Sequence, residues 1–197
     1  MKRSCCPKCH YPNTTCVCKY VSSPIANNTK VIVLQHPSEV TVAKNTVRLL
    51  TLQLSNIDVF IGEDAADFES ARQLIENSDS ALLYPNEQAV SVQQLSCQSK
   101  KIDTLVVIDG TWKKAHKILA TNPWLMKLPS VTFAKLPHNQ YRIRKAEQEN
   151  SLSSLEAVAL FLNEYEHKDQ QPLLNLLNGM IAEQTKFMPE HVKTRYE

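Results

Sequence analysis

Short apolar runs alternate with amphipathic stretches along most of the chain. Residues 30–35 (KVIVLQ), 57–62 (IDVFIG), 81–85 (ALLYP), 104–108 (TLVVI) and 130–135 (SVTFAK) are rich in β-branched and aliphatic side chains, and each predicts a strand. Gly62 closes the second run and Pro85 the third. Between them, residues 43–54 (AKNTVRLLTLQL), 67–78 (DFESARQLIENS) and 111–120 (TWKKAHKILA) repeat apolar positions at helical spacing. Phe68, Ala71, Leu74 and Ile75 share one face of the second stretch, and Trp112, Ala115, Ile118 and Leu119 one face of the third. Two more helices are predicted near 152–166 and 172–186. Alternation of this kind predicts an α/β fold, a mostly parallel sheet flanked by helices, with residues 104–108 at its centre.

The N-terminal region breaks the pattern. Residues 21–29 (VSSPIANNT) read as a linker between a Cys-rich module at 1–20 and a larger domain at 30–197. A chain of 197 residues, 43% hydrophobic and 21% charged, has a globular composition and can bury a real core. The net charge of +2 conceals an asymmetry: Lys2, Arg3, Lys8, Lys19 and Lys30 all precede the first acid, Glu39. A basic head suits a polyanion such as nucleic acid; the bland reading is a solubilising arm. No run approaches the roughly 18 apolar residues of a membrane span, and no signal-peptide core follows the N-terminus. The expected location is therefore cytoplasmic, where structural disulfides are rare.

Within CPKCHYPNTTCVC, Cys6, Cys9, Cys16 and Cys18 form C-x2-C followed, six residues on, by C-x-C. Four thiolates so close in sequence suit a closed tetrahedral zinc site, structural in role because no ligand position stays open. In a segment too small for its own core, metal ligation supplies folding energy. Cys5 neighbours Cys6, but the spacing to Cys9 favours Cys6; Cys97 stands alone.

The run at 104–108 leads directly into Asp109-Gly110-Thr111-Trp112. A carboxylate at the carboxyl end of a buried strand is costly unless something uses it, and that edge of an open α/β sheet is where ligands bind. Asp109 therefore faces a pocket or caps the following helix. Trp112 anchors that helix to the sheet or holds the acid in place. Gln35, His36, Glu39, Asn45 and Thr46 leave the first strand at its carboxyl end; His36 and Asn45 also have structural readings, as a hydrogen-bonded side chain and a helix cap. Arg142, Arg144 and Lys145 precede Ser153 and Glu156, whose spacing is that of a capping box. The basic loop could grip RNA phosphates or be merely solvated. With glycine only at 62, 110 and 179, neither a glycine-rich dinucleotide fingerprint nor a P-loop is present.

Together these segments resemble the DTW domain family, named for an Asp-x-Thr-Trp motif, here Asp109-Gly110-Thr111-Trp112. The four-cysteine head, LQHPSE with KNT, LLYP at 82–85 and SLSSLEAVAL appear in the family's order. The family's usual Ser-Thr-Leu-Glu helix start is here Ser153-Ser154-Leu155-Glu156. The resemblance covers residues 6 to about 162 and leaves the final helix outside. It implies a tRNA-uridine aminocarboxypropyltransferase of SPOUT-like fold. Such an enzyme takes the 3-amino-3-carboxypropyl group of S-adenosylmethionine to uridine N3, in a pocket built from loops. Donor contacts are then expected from Leu34, Gln35 and His36, from Tyr84 and Pro85, from Asp109, Gly110, Thr111 and Trp112, and from Ser153, Ser154, Leu155 and Glu156. Contacts to tRNA are expected from Asn45, Thr46, Lys113, Arg142, Arg144 and Lys145. Asp109 would accept the N3 proton or orient a substrate. A methyltransferase of similar fold using the same donor, and a non-catalytic zinc-headed RNA-binding module, are the alternatives.

Overall fold

The computed structural model of the protein describes residues 4–97, 101–137 and 152–189. Its centre is a six-stranded sheet: β1 (Lys30–Gln35), β2 (Ile57–Ile61), β3 (Ser80–Leu83), β4 (Val90–Ser91), β5 (Thr104–Asp109) and β6 (Ser130–Thr132). The strand order is β2-β1-β5-β3-β6-β4, and every neighbouring pair is parallel. Among the described residues six α-helices connect or cover the strands: α1 (Val47–Gln53), α2 (Glu69–Glu76), α3 (Val92–Cys97), α4 (Trp112–Thr121), α5 (Ser154–Glu166) and α6 (Gln171–Thr185). Among the described residues no helix is long and apolar enough to cross a membrane.

Side chains alternate across each strand, so the sheet has two apolar faces. Val31, Val33, Ala81, Leu105, Val107 and Val131 point to the face covered by α1, α3, α5 and α6. Ile32, Leu34, Leu82 and Val106 point to the other, where Ala71 and Ile75 of α2 and Ile118 and Leu119 of α4 meet them. Each of these valines, leucines and isoleucines contributes about 1.5–3 kcal/mol when fully buried. Cys9, Tyr11 and Val17 of the cysteine-rich segment join the first cluster, so this segment packs directly on the core. Tyr20 lies over α6 where Gly179 leaves room: a Cβ at residue 179 would stand 2.3 Å from the Tyr20 ring.

The strand order makes β1 and β5 neighbours whose connections diverge. The chain leaving β1 turns to α1 on one face of the sheet, and the chain leaving β5 turns to α4 on the other. Neighbouring strands whose connections diverge in this way leave their carboxyl ends open.

Several boundaries differ from the sequence reading. Helix α1 starts at Val47 and not at residue 43, because the chain after β1 first makes a 3-10 turn over Pro37–Glu39 and further turns up to Asn45. The third and sixth strands are shorter, and β5 extends through Asp109. The two-residue β4 and the short α3 have no counterpart in the sequence reading, since neither is long enough to show a period.

Candidate active site

Register brings the first two site residues together. Gln35 ends β1 and Asp109 ends β5, and the two are paired across the ladder. Both share the parity of Val33 and Val107, so both side chains point toward the α1 and α5 face. The Asp109 carboxylate is 6% exposed and accepts three hydrogen bonds. Gln35 Nε2 donates to Oδ2 at 2.9 Å, Asn45 Nδ2 donates to Oδ2 at 2.8 Å, and Ser154 Oγ donates to Oδ1 at 2.5 Å. Three elements thus converge on one acid.

The orientation of the Asn45 amide is fixed. Its Oδ1 accepts from the Val47 N–H at 3.0 Å and from Gln35 Nε2 at 3.3 Å, so only its NH2 can face Asp109. Asn45 is therefore both a cap for α1 and a ligand of Asp109. Thr46 Oγ1 accepts from the Leu155 N–H, joining the same loop to α5. Asp109 does not cap α4; Thr111 does, its side chain accepting from the Lys114 N–H.

Helix α5 begins with the predicted capping box. Ser153 Oγ accepts from the Glu156 N–H, and Glu156 Oε2 accepts from the Ser153 N–H at 2.9 Å. Leu155 and Glu156 are buried in this arrangement. Because the Leu155 and Glu156 amides already have acceptors, Ser154 is the residue of this turn that faces the site.

A cleft opens beside Asp109. It is lined by Leu83, Tyr84, Pro85, Val107, Ile108, Gly110, Trp112, Ala115, Leu152, Ser154 and Ala157. Of the predicted donor-binding residues, Tyr84, Pro85, Gly110, Trp112 and Ser154 thus share one cavity, with Asp109 hydrogen-bonded to its Ser154 wall. Leu34 is a core residue of the opposite sheet face. Leu83, Val107, Ile108, Ala115, Leu152 and Ala157 were missed as lining residues; their small or aliphatic side chains read as core, and Val107 and Ala115 are indeed buried while still forming the cleft wall.

Trp112 is half-buried, not a core anchor, and forms an aromatic cluster with its neighbours. Its ring centroid is 6.2 Å from Tyr84, edge-on, and 6.5 Å from His116. The phenol of Tyr84 is held above its ordinary pKa by burial and so stays protonated. Gly110 does not adopt a positive φ. Close approach explains it better, since a Cβ there would stand 3.0 Å from the Lys114 Cβ and 3.7 Å from the His36 Cβ.

His36 continues the ladder through its backbone, its N–H donating to the Asp109 carbonyl at 3.0 Å. Its ring turns elsewhere. Nδ1 accepts from the Ser38 N–H, which leaves the proton on Nε2 to meet Glu63 Oε2 at 2.6 Å. Lys117 and then His36 hold the Glu63 carboxyl below the usual range. Lys114 pairs with Glu39 at 2.7 Å, tying α4 to the turn after β1. Lys113 is exposed on α4 next to Trp112. Arg142, Arg144 and Lys145 lie outside the described residues.

The four predicted metal ligands do converge. The sulfurs of Cys6, Cys9, Cys16 and Cys18 all lie within 4.8 Å of one another, with Cys6 3.7 Å from Cys18 and Cys9 3.6 Å from Cys16. Four thiolates on a metal at about 2.3 Å sit about 3.8 Å apart, so the donor set fits a tetrahedral ion. Backbone N–H groups of Cys9 and Lys8 pull the Cys6 thiol down to about 6, while burial and the neighbouring sulfurs push Cys18 up to about 12. Sulfurs this close cannot all ionise without a cation between them. Cys5 is exposed and not among the four. The segment is pinned to α6 by Glu183, which accepts from Tyr20 Oη at 3.2 Å and pairs with Lys19 at 2.7 Å and with Lys186.

The chain is similar to several known proteins. A protein of Drosophila melanogaster called tRNA-uridine aminocarboxypropyltransferase 2 is 29% identical over 202 residues, covering 94% of this chain and 80% of its own length. The protein of the same name from Mus musculus is 32% identical over 187 residues, covering 90% of this chain, which spans 62% of that relative. tRNA-uridine aminocarboxypropyltransferase A of Arabidopsis thaliana is 23% identical, covering 100% of this chain and 89% of its own. No solved structure matches the chain. The DTW domain matches residues 3–185, which brings the cysteine loop, the site and also α6 into one family unit, well past residue 162. With that match over nearly its whole length, the chain belongs to the DTW domain family.

Proposed function

We propose that the protein transfers the 3-amino-3-carboxypropyl group of S-adenosylmethionine to N3 of a uridine in tRNA, releasing 5′-methylthioadenosine. The observation that carries this reading is the shared name of the relatives from fly, mouse and plant, which cover at least 90% of this chain. The cleft at the carboxyl end of β5 supports it. Tyr84 and Trp112 offer aromatic surface for a purine ring, and the walls formed by Leu83, Val107 and Ala157 are apolar. When bound, the sulfonium donor supplies an electrophilic carbon: the N3–C bond forms as the C–S bond breaks, its electron pair returning to sulfur.

The chain's own part is to bind, orient and manage one proton. Uridine N3 is a poor nucleophile until its imide proton leaves. A carboxylate has about four acceptor positions, and three at Asp109 are occupied by Gln35, Asn45 and Ser154. The remaining position can take the N3 proton or orient the substrate through it. The three neutral donors hold the carboxylate without neutralising its charge.

The metal in this reading is zinc, held by Cys6, Cys9, Cys16 and Cys18 as a structural ion, and residues 1–20 are its binding module. Lys113 and the Arg142, Arg144 and Lys145 segment supply phosphate contacts; Asn45 and Thr46, expected at the tRNA, are buried and instead hold Asp109 and the start of α5. Activity on tRNA fits a cytoplasmic protein. The test is mass spectrometry of nucleosides from tRNA incubated with the protein and S-adenosylmethionine. An aminocarboxypropyl-uridine formed in step with 5′-methylthioadenosine is expected. A methylated nucleoside with S-adenosylhomocysteine would replace this reading by a methyltransferase. Tight tRNA binding with no donor consumed would replace it by a binding module.

A further inference from the structure

One side chain joins the metal loop to the candidate catalytic acid. Tyr11 lies between Cys9 and Cys16, and its side chain is 1% exposed. The loop holds its backbone, the Cys6 N–H donating to the Tyr11 carbonyl at 2.8 Å. Its hydroxyl reaches out of the loop, 3.0 Å from the Asn45 carbonyl oxygen and 3.1 Å from Met180 Sδ of α6. The Arg48 guanidinium lies 5.3 Å from the ring centroid, fixing the ring from the α1 side. Asn45 then passes the contact on: its side chain donates to Asp109 Oδ2 at 2.8 Å and accepts from the Val47 N–H. Asn45 is thus gripped by its main chain from the metal loop and by its side chain at the acid.

We propose that Tyr11 is a positioning residue through which the metal loop fixes Asn45, and through Asn45 the carboxylate of Asp109, so that metal occupancy sets the turnover of the site. The claim rests on the transferase reading above. Its physical ground is the order of the loop. Across residues 4–20 the regular structure is two three-residue 3-10 turns and one isolated bridge, Cys5 with Pro12, so the ion and the packing on α6 do most to set where Tyr11 stands. A shift of Tyr11 removes the donor from the Asn45 carbonyl and frees the turn that carries the amide.

Tyr11→Phe keeps the ring and removes only the hydroxyl. The variant should fold and retain about one zinc per chain by elemental analysis, as for closed four-thiolate sites. Its kcat should fall about tenfold, the scale of one buried hydrogen bond, with KM for donor and tRNA within about twofold. Hydrogen exchange should quicken at the Val47 amide, bonded to the Asn45 side chain, while Val106 and Val107 in β5 stay protected. Chelation of the wild-type protein should produce the same exchange pattern. Met180→Leu removes the sulfur beside the hydroxyl while keeping the apolar volume that α6 packs on Tyr11, and should leave kcat and Val47 exchange unchanged. Wild-type kcat and exchange in Tyr11→Phe would overturn the proposal, as would protection lost equally across β5, the mark of general destabilisation. If Tyr11→Phe does not fold, Val47 against β5 in the wild-type protein with and without chelator decides the matter alone. If the wild-type protein transfers nothing to tRNA, the transferase reading fails, and the exchange pattern still tests the link from metal to Asn45.

Discussion

Ser154 Oγ donates to Asp109 Oδ1 across 2.5 Å, fastening the first residue of α5 to the last residue of β5. Gln35 and Asn45 hold the other oxygen, so the acid is a junction as well as a candidate base. A substitution there therefore alters structure and chemistry together, and the two effects have to be measured separately.

Asp109→Ala should lower transfer by roughly 10²- to 10⁴-fold, the usual cost of losing a general base. It should not leave stability intact, because three donors lose their acceptor, each at about 1–3 kcal/mol if it stays unsatisfied. Ser154→Ala removes one of those donors, and combining it with Asp109→Ala should give a non-additive change in urea unfolding. An Asp109→Ala protein that unfolds like the wild type and still modifies tRNA would exclude both roles.

Trp112→Ala and Trp124→Ala should separate site from core. Trp124 is buried and packs with α2 and α4, so its truncation should cost about 3–5 kcal/mol. Trp112 is half-buried on the cleft wall, so its truncation should cost less and instead weaken donor binding. Calorimetric titration with S-adenosylmethionine alongside thermal melting makes the comparison. Equal melting losses with unchanged donor affinity would return Trp112 to the role of helix anchor.

Gly179→Ala should destabilise the protein even though alanine favours helices by about 1 kcal/mol over glycine. The new Cβ would fall on the Tyr20 ring, next to the last cysteine of the metal loop. Overpacking of this kind costs about 1–3 kcal/mol. A Tm equal to or above that of the wild type would mean that Tyr20 can move aside freely.

Glu183 gives the acid side of the stability profile a defined sign. Lys186 and then Lys19 depress its folded pKa from 4.5 to about 2. The unfolded state binds the proton more readily, so this contribution is complete above about 4.5 and is lost as the pH falls toward 2. Glu183→Gln should flatten the dependence of unfolding free energy on pH within that window. An unchanged slope there would show that the pair with Lys186 and Lys19 does not persist in solution.

Much of this site was legible in the sequence through local periods. The apolar runs at 30–35 and 104–108 put Gln35 and Asp109 at the carboxyl ends of strands, and the spacing of Ser153 and Glu156 is enough to name a capping box. The convergence of the four cysteines was legible because ligand spacing is itself a local property. What local pattern cannot express is which strands become neighbours. That β1 lies beside β5, with Gln35 opposite Asp109, is a long-range pairing, and only it closes the hydrogen bonds around the acid. The sequence allowed Asp109 as the cap of α4; β5 runs on through Asp109 and leaves the cap to Thr111. Trp112 sits on the apolar stripe of α4, yet at its first turn, where it meets the cleft instead of the sheet interior. Tyr11 and Gly179 carried no local signal at all. Their roles exist because the metal loop folds back onto α1 and α6, far along the chain, and side-chain contacts at that separation are decided by packing.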